Sequence, residues 1–64
     1  MSSARYNQIV QQIEDAQDEE DLNAARAAVS AYKAQKGGVN VELQLEIYAL
    51  SDKINVKLNQ LNSY

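Results

Sequence analysis

The sequence contains no cysteine and no histidine among its 64 residues. Disulfide bonds, thiolate nucleophiles, the usual Cys/His zinc sites and imidazole general bases are therefore excluded. Neither G-x-x-x-x-G-K-[ST] nor G-x-G-x-x-G occurs, so no phosphate-binding loop is indicated. Paired catalytic carboxylates need a cleft that separates their pKa values, and so short a chain leaves little room for one. We expect a non-enzymatic protein without a cofactor or a metal ion.

No apolar run approaches the roughly 18 residues needed to cross a bilayer. The first residues do not show the basic stretch and apolar run of a secretory signal peptide. We therefore expect a cytoplasmic protein that does not associate with a membrane.

The charge is modest, with six basic and nine acidic residues and a net charge of -3. This small acidic protein lacks the excess of one sign that marks a strong nucleic-acid binder. Its length predicts a single helical domain over residues 1–64, since compact domains rarely fall below about 50 residues. Such a short chain forms a small core, so self-association would add stability.

The first apolar series has the spacing of three and four residues that lines one face of a helix. It predicts a helix from about Ala4 to Ala16. The members of the series are Tyr6, Ile9, Val10, Ile13 and Ala16.

A break in the helix is predicted between Ile13 and Leu22. The step of nine residues turns the apolar face by about 900°, to the opposite side of a continuous helix. A break lets both apolar faces turn toward one core. Asp18 is the expected N-cap of the second helix. Six of the eight residues from Glu14 to Asp21 are acidic, which we interpret as a capping turn, with an acidic binding tip as the alternative.

The second helix is predicted to end at Lys36. Lys33 and Lys36 complement the helix dipole, and Gly37 can adopt the left-handed conformation that ends helices. Proline is absent and the only two glycines are Gly37 and Gly38, so this is the strongest break in the sequence.

Two patterns compete after the glycines. Val39, Val41, Leu43, Leu45 and Ile47 alternate with polar residues, as in a strand. A longer series from Leu43 to Leu61 keeps the helical spacing, Asn40 can cap its start, and no second strand is available for pairing. We predict a helix over residues 41–62. The fold class is then all-α: a small three-helix bundle, with a helical hairpin over residues 4–36 followed by this longer helix.

The third helix also carries apolar residues away from its main face: Leu45, Tyr48, Ala49 and Val56. One interpretation is that the bundle covers this helix on two sides. The other is an exposed surface that binds a partner. We predict partner binding through Leu45, Tyr48 and Val56, with another protein as the leading partner and a homodimer or self-assembling bundle as the alternative.

A weak single-stranded nucleic-acid binder is a further alternative. Arg26 and Lys33 share a helix face and Tyr32 lies beside them. Cations that pair with phosphates and an aromatic ring that stacks on a base are the usual elements of such a site. The same cations are also compatible with an ordinary surface.

Several positions resemble a family of small helical proteins encoded beside the recombination helicase of T-even-like tailed phages. They are Ile13-x-x-Ala16-Gln17-x-x-x-x-Leu22, Tyr32-Lys33, Leu50-x-x-Lys53 and Leu58. The resemblance implies an accessory factor of phage DNA recombination or replication, located in the host cytoplasm, with uneven surface charge. The long acidic tail of that family does not occur in this sequence.

A second resemblance covers residues 48–58. Tyr48, Asp52 and Leu58 are similar to positions of the Hha family of small enterobacterial partners of H-NS. Both families share a short helix, an acidic turn and an amphipathic third helix, and neither resemblance implies particular site residues.

Overall fold

A computed structural model describes residues 3–37 and 40–63 of the chain. They form α1 (Ala4–Asp15), α2 (Glu19–Lys36) and α3 (Val41–Leu61). Each helix contacts the other two, and the molecule measures 38 × 17 × 16 Å. The predicted all-α three-helix bundle is confirmed, and α3 is the longest helix with 21 residues.

Side-chain caps start all three helices. The Asp18 carboxylate accepts a hydrogen bond from the backbone N–H of Asp21 at 2.9 Å, and the Asn40 side chain accepts one from Glu42 at 2.8 Å. Both caps were predicted, because short polar side chains satisfy the free N–H groups of a first turn. Ser3 caps α1 in the same way, with 3.0 Å from its Oγ to the Tyr6 nitrogen.

The predicted helix ends are also confirmed to within one residue. Gly37 has φ 58° and ψ 32°, and its N–H donates to the carbonyl of Lys33 at 3.3 Å. Beyond it, Val41 to Ile47 belong to α3, so the helical spacing prevails over the strand pattern. Val39, the first residue of that strand pattern, lies outside the described residues.

The chain reverses between Ile13 and Leu22. Ala16 follows α1 with φ -61° and ψ 131°, an extended conformation that takes the backbone out of the helix. The exposed fractions are 2% for Ile13 and 0% for Leu22, so both side chains reach the same core. The predicted break is confirmed.

The core lies along the axis of the bundle and contains residues from all three helices. Partly buried side chains such as Tyr6, Ile47 and Leu58 close its edges. Its buried members are Ile9, Ile13, Ala16, Leu22, Ala25, Val29, Tyr32, Leu43, Leu50 and Ile54.

Candidate interaction surface

Four large apolar side chains lie on the solvent side of α3, and we call them the outer strip. Their exposed fractions are 73% for Val41, 63% for Leu45, 69% for Tyr48 and 48% for Val56. At 100° per residue they fall within an arc of about 80°. Asp52 lies in the same arc, between Tyr48 and Val56. The outer strip is therefore one continuous surface with a single carboxylate within it.

The opposite side of α3 faces the core. Leu43, Leu50 and Ile54 are at most 6% exposed, and their mean direction is about 180° from the outer strip. Both α1 and α2 pack against that side. The interpretation in which the bundle covers α3 on two sides is therefore wrong, because the two other helices lie on the same side of it.

The residues predicted for partner binding share this surface. Leu45, Tyr48 and Val56 are exposed together, as the second interpretation required. Val41 also belongs to this surface, although from the sequence it was assigned only to the strand pattern and to the start of the third helix. Its spacing of four residues from Leu45 is the signal that could have added it to the strip.

A groove runs beside the second half of the outer strip, next to Val56. Its volume is about 350 Å³, and Ile13 of α1 and Lys53 and Val56 of α3 contribute to its lining. The Lys57 ammonium, which also lines the groove, donates a hydrogen bond to the carbonyl of Glu14 at 2.8 Å. This contact joins the end of α1 to α3 at the edge of the groove.

Charges of opposite sign follow each other along one flank of the outer strip. Glu42 and Glu46 lie beside its first half, and Lys53 and Lys57 lie beside its second half. Helical rotation places all four on the same flank, about 80–140° from the centre of the strip. The other flank carries the uncharged residues Gln44, Ser51 and Asn55.

The residues predicted for nucleic-acid contact are only partly brought together. Arg26 and Lys33 line a groove of about 430 Å³ between α2 and α3, along with Ser30 and Asn55. Tyr32 is 1% exposed, and its ring belongs to the core. Its assignment as a stacking residue is therefore wrong, because base stacking needs an open aromatic face.

Tyr32 instead joins all three helices. Its hydroxyl lies 3.2 Å from the Oγ of Ser3 and 3.2 Å from each carboxylate oxygen of Glu46. The Lys36 ammonium lies 5.8 Å from the centre of the ring, within the range of a cation–π contact. Sequence reasoning missed Ser3 and Glu46, since residues 29 and 14 positions from Tyr32 give no local signal.

The acidic turn forms caps. Asp18 caps α2, and the Asp21 carboxylate accepts a hydrogen bond from the backbone N–H of Gln17 at 3.0 Å. These two bonds resemble a capping box, except that the Asp21 carboxylate accepts from the residue before the cap rather than from the cap itself. Over residues 3–37 and 40–63, no group of three or more acidic side chains is arranged to hold a metal ion.

Neither α1, α2 nor α3 combines the length and apolar character of a membrane-spanning helix. The chain matches no protein-family model, no curated protein and no solved structure. The function is therefore inferred from the geometry of the outer strip and its flanks.

Proposed function

We propose that the chain is a non-enzymatic interaction module that binds another protein chain through the outer strip of α3. One observation carries this proposal: the core is complete without Leu45, Tyr48 and Val56, and these side chains are 48–69% exposed. Single exposed apolar residues are ordinary, whereas a contiguous row of them usually marks a binding surface.

The shape of the surface favours a helical partner. An amphipathic helix can place its apolar residues along a straight row, and helix recognition commonly uses anchors spaced by three, four and seven residues. Tyr48 supplies a large, rigid ring with a polar end, the type of side chain that is enriched at protein interfaces.

The non-enzymatic part of the proposal is supported by the exposure of charge. In the described part of the chain, every acidic and basic side chain is at least partly exposed. Catalytic acids and bases are more often found in enclosed, partly desolvated clefts. The proposal includes a cytoplasmic setting in DNA recombination or replication, which the phage resemblance supports.

A photocrosslinking residue in place of Tyr48 tests the binding surface in cells that produce the chain. We expect crosslinks to a protein from this position. A matched probe in place of Gln35, which is exposed on α2, should yield none. The double substitution Leu45→Ser and Val56→Ser should remove the crosslinks without changing the helical circular dichroism signal. Absence of any protein crosslink at position 48 would contradict the proposed function.

A second candidate function is weak single-stranded nucleic-acid binding, favoured by the position of Arg26 and Lys33 on one groove. Two phosphate contacts predict that log K falls with log salt with a slope of about -1.4 on a single strand. Titration of a labelled oligonucleotide at several salt concentrations measures this slope. Arg26→Ala with Lys33→Ala should abolish binding, while the matched pair Lys53→Ala with Lys57→Ala should not. No binding at low salt would remove this candidate.

A further inference from the structure

Resting on the proposed function, we propose that the helix bound by the outer strip is α3 of a second copy of this chain, in antiparallel orientation. The two copies are related by a two-fold axis that passes close to the level of Leu50. In such a dimer, each contact between two residues occurs twice, so the surface must be complementary to itself.

The charged flank selects the antiparallel orientation. When two helices pair face to face and run in opposite directions, the same flank of each helix meets its counterpart. Glu42 of one copy then lies at the level of Lys57 of the second copy, and Glu46 lies at the level of Lys53. In each pair one side chain, Lys57 or Glu46, keeps a hydrogen bond within its own copy. In a parallel pair, this flank would instead meet the flank that carries Gln44, Ser51 and Asn55, and the charges would find no partners. Electrostatic complementarity of this kind fixes orientation and register.

The apolar residues match in the same register. With the axis near Leu50, Leu45 faces Val56 of the second copy and can enter the groove of about 350 Å³ beside it. The first half of the strip projects from the surface, with Leu45 and Tyr48 63% and 69% exposed, whereas the second half adjoins that groove. In the dimer, the projecting first half of each copy therefore packs against the groove-bearing second half of the other copy.

The carboxylate in the strip also finds a partner. In this register, Tyr48 faces Asp52 of the second copy, where the phenol hydroxyl donates a hydrogen bond to the carboxylate. A single polar residue within an apolar seam often sets the register of paired helices at some cost in affinity. Asp52 therefore favours one alignment. The two Asp52 carboxylates also lie only about one helical turn apart across the axis, and their repulsion weakens the dimer.

The size of the surface makes the dimer weak. Four side chains give about a few hundred Å² of apolar area per copy, below the roughly 800 Å² per partner of standard interfaces. Since standard interfaces already extend to micromolar dissociation constants, we expect micromolar or weaker self-association. The dimer would therefore form only where the chain is concentrated.

Single cysteines test the orientation cleanly, because the chain has none of its own. Val41 and Asn59 are both exposed, so substitution leaves the core intact. They face each other across the antiparallel dimer and lie at opposite ends of a parallel one. Mixing Val41→Cys with Asn59→Cys under mild oxidation should yield mainly the mixed disulfide, because a bridge needs Cα atoms within about 7 Å. Predominant Val41→Cys homodimers would show a parallel pair and overturn the proposal.

Charge reversal gives an independent test by sedimentation equilibrium, over about 10 µM to 1 mM to cover weak dissociation constants. Glu42→Lys or Lys57→Glu should weaken association about tenfold, and the two together should restore it, because these residues lie at the same level in the proposed register. Arg5→Glu, with the same change of net charge as Lys57→Glu but on α1, is the matched control and should leave association unchanged. A chain that stays monomeric throughout, without the mixed disulfide, would overturn the dimer. The proposed function would still stand if the probe at position 48 crosslinked a different protein, and would fail if it crosslinked none.

Discussion

The hydroxyl of Tyr32 on α2 lies 3.2 Å from both carboxylate oxygens of Glu46 on α3. The hydroxyl has one proton, so when it donates to Glu46 it must accept from Ser3, whose Oγ is 3.2 Å away. Ser3 in turn accepts from the backbone N–H of Tyr6 at 3.0 Å. The result is a directed chain of hydrogen bonds through all three helices, in which each bond polarises the next.

Tyr32→Phe should lower the free energy of unfolding by about 0.5–1.5 kcal/mol, the usual net value of a hydrogen bond. The ring stays in the core, and water can solvate the partly exposed Glu46, so the loss should not be larger. Urea denaturation measures the change. Tyr48→Phe is the matched control and should be neutral, since that side chain is 69% exposed. Equal effects of the two substitutions would contradict a structural role for the Tyr32 hydroxyl.

Leu50→Ala and Leu45→Ala should differ strongly in their effect on stability, because they truncate side chains on opposite faces of α3. Leu50 is 0% exposed, so its truncation should cost about 2–5 kcal/mol. A chain of this size rarely has more than about 3–5 kcal/mol of stability, so this variant should be largely unfolded. Leu45 is 63% exposed, and its truncation should change stability by less than about 0.5 kcal/mol.

Thermal unfolding followed by circular dichroism, at a protein concentration low enough to prevent self-association, measures both variants. A stable Leu50→Ala protein, or a Leu45→Ala protein that unfolds, would show that the inner and outer faces of α3 are wrongly assigned.

Gly37→Ala should destabilise the end of α2. Among residues 3–37 and 40–63, a Cβ at this position would meet only the carbonyl oxygen of Ala34, at 3.9 Å, which is an ordinary contact distance. The cost comes from the backbone, because φ is 58° and a left-handed conformation costs a residue with a Cβ about 1–2 kcal/mol. Gly37→Asn should cost less, since Asn tolerates this conformation better. We expect the denaturation midpoint to fall from Gly to Asn to Ala at this position. A different order would show that the loss of stability does not come from the backbone conformation.

Local signals account for most of what the sequence predicted about the fold. Asp18, Gly37 and Asn40 act within one turn of the chain, and each marks a helix end where it was expected. The reversal between Ile13 and Leu22 was predictable because an unbroken helix would have divided the apolar residues between two sides.

Local signals could not predict whether another helix packs on the outer strip of α3. Helical spacing showed that Leu45 and Val56 lie away from the main apolar face, but not whether another helix packs on them. That depends on where α1 and α2 lie around α3. Tyr32 was misassigned as a stacking residue for a related reason: Arg26 and Lys33 are its neighbours in sequence, whereas its hydrogen-bond partners, Ser3 and Glu46, come from distant parts of the chain.

Asp18→Ala should show whether the acidic turn serves as a cap. The Asp18 carboxylate accepts from the Asp21 N–H at 2.9 Å, so its loss leaves a first-turn N–H of α2 without this partner. We expect a loss of about 0.5–2 kcal/mol, measured by urea denaturation. Asp18→Asn keeps the accepting oxygen and should recover most of that loss, although the charge is removed. Glu20→Gln, which alters the charge of the same turn but not the Asp18 cap, is the matched control and should change stability by less than Asp18→Ala. If Asp18→Asn were as destabilising as Asp18→Ala, the carboxylate would act through its charge and not as a hydrogen-bonding cap.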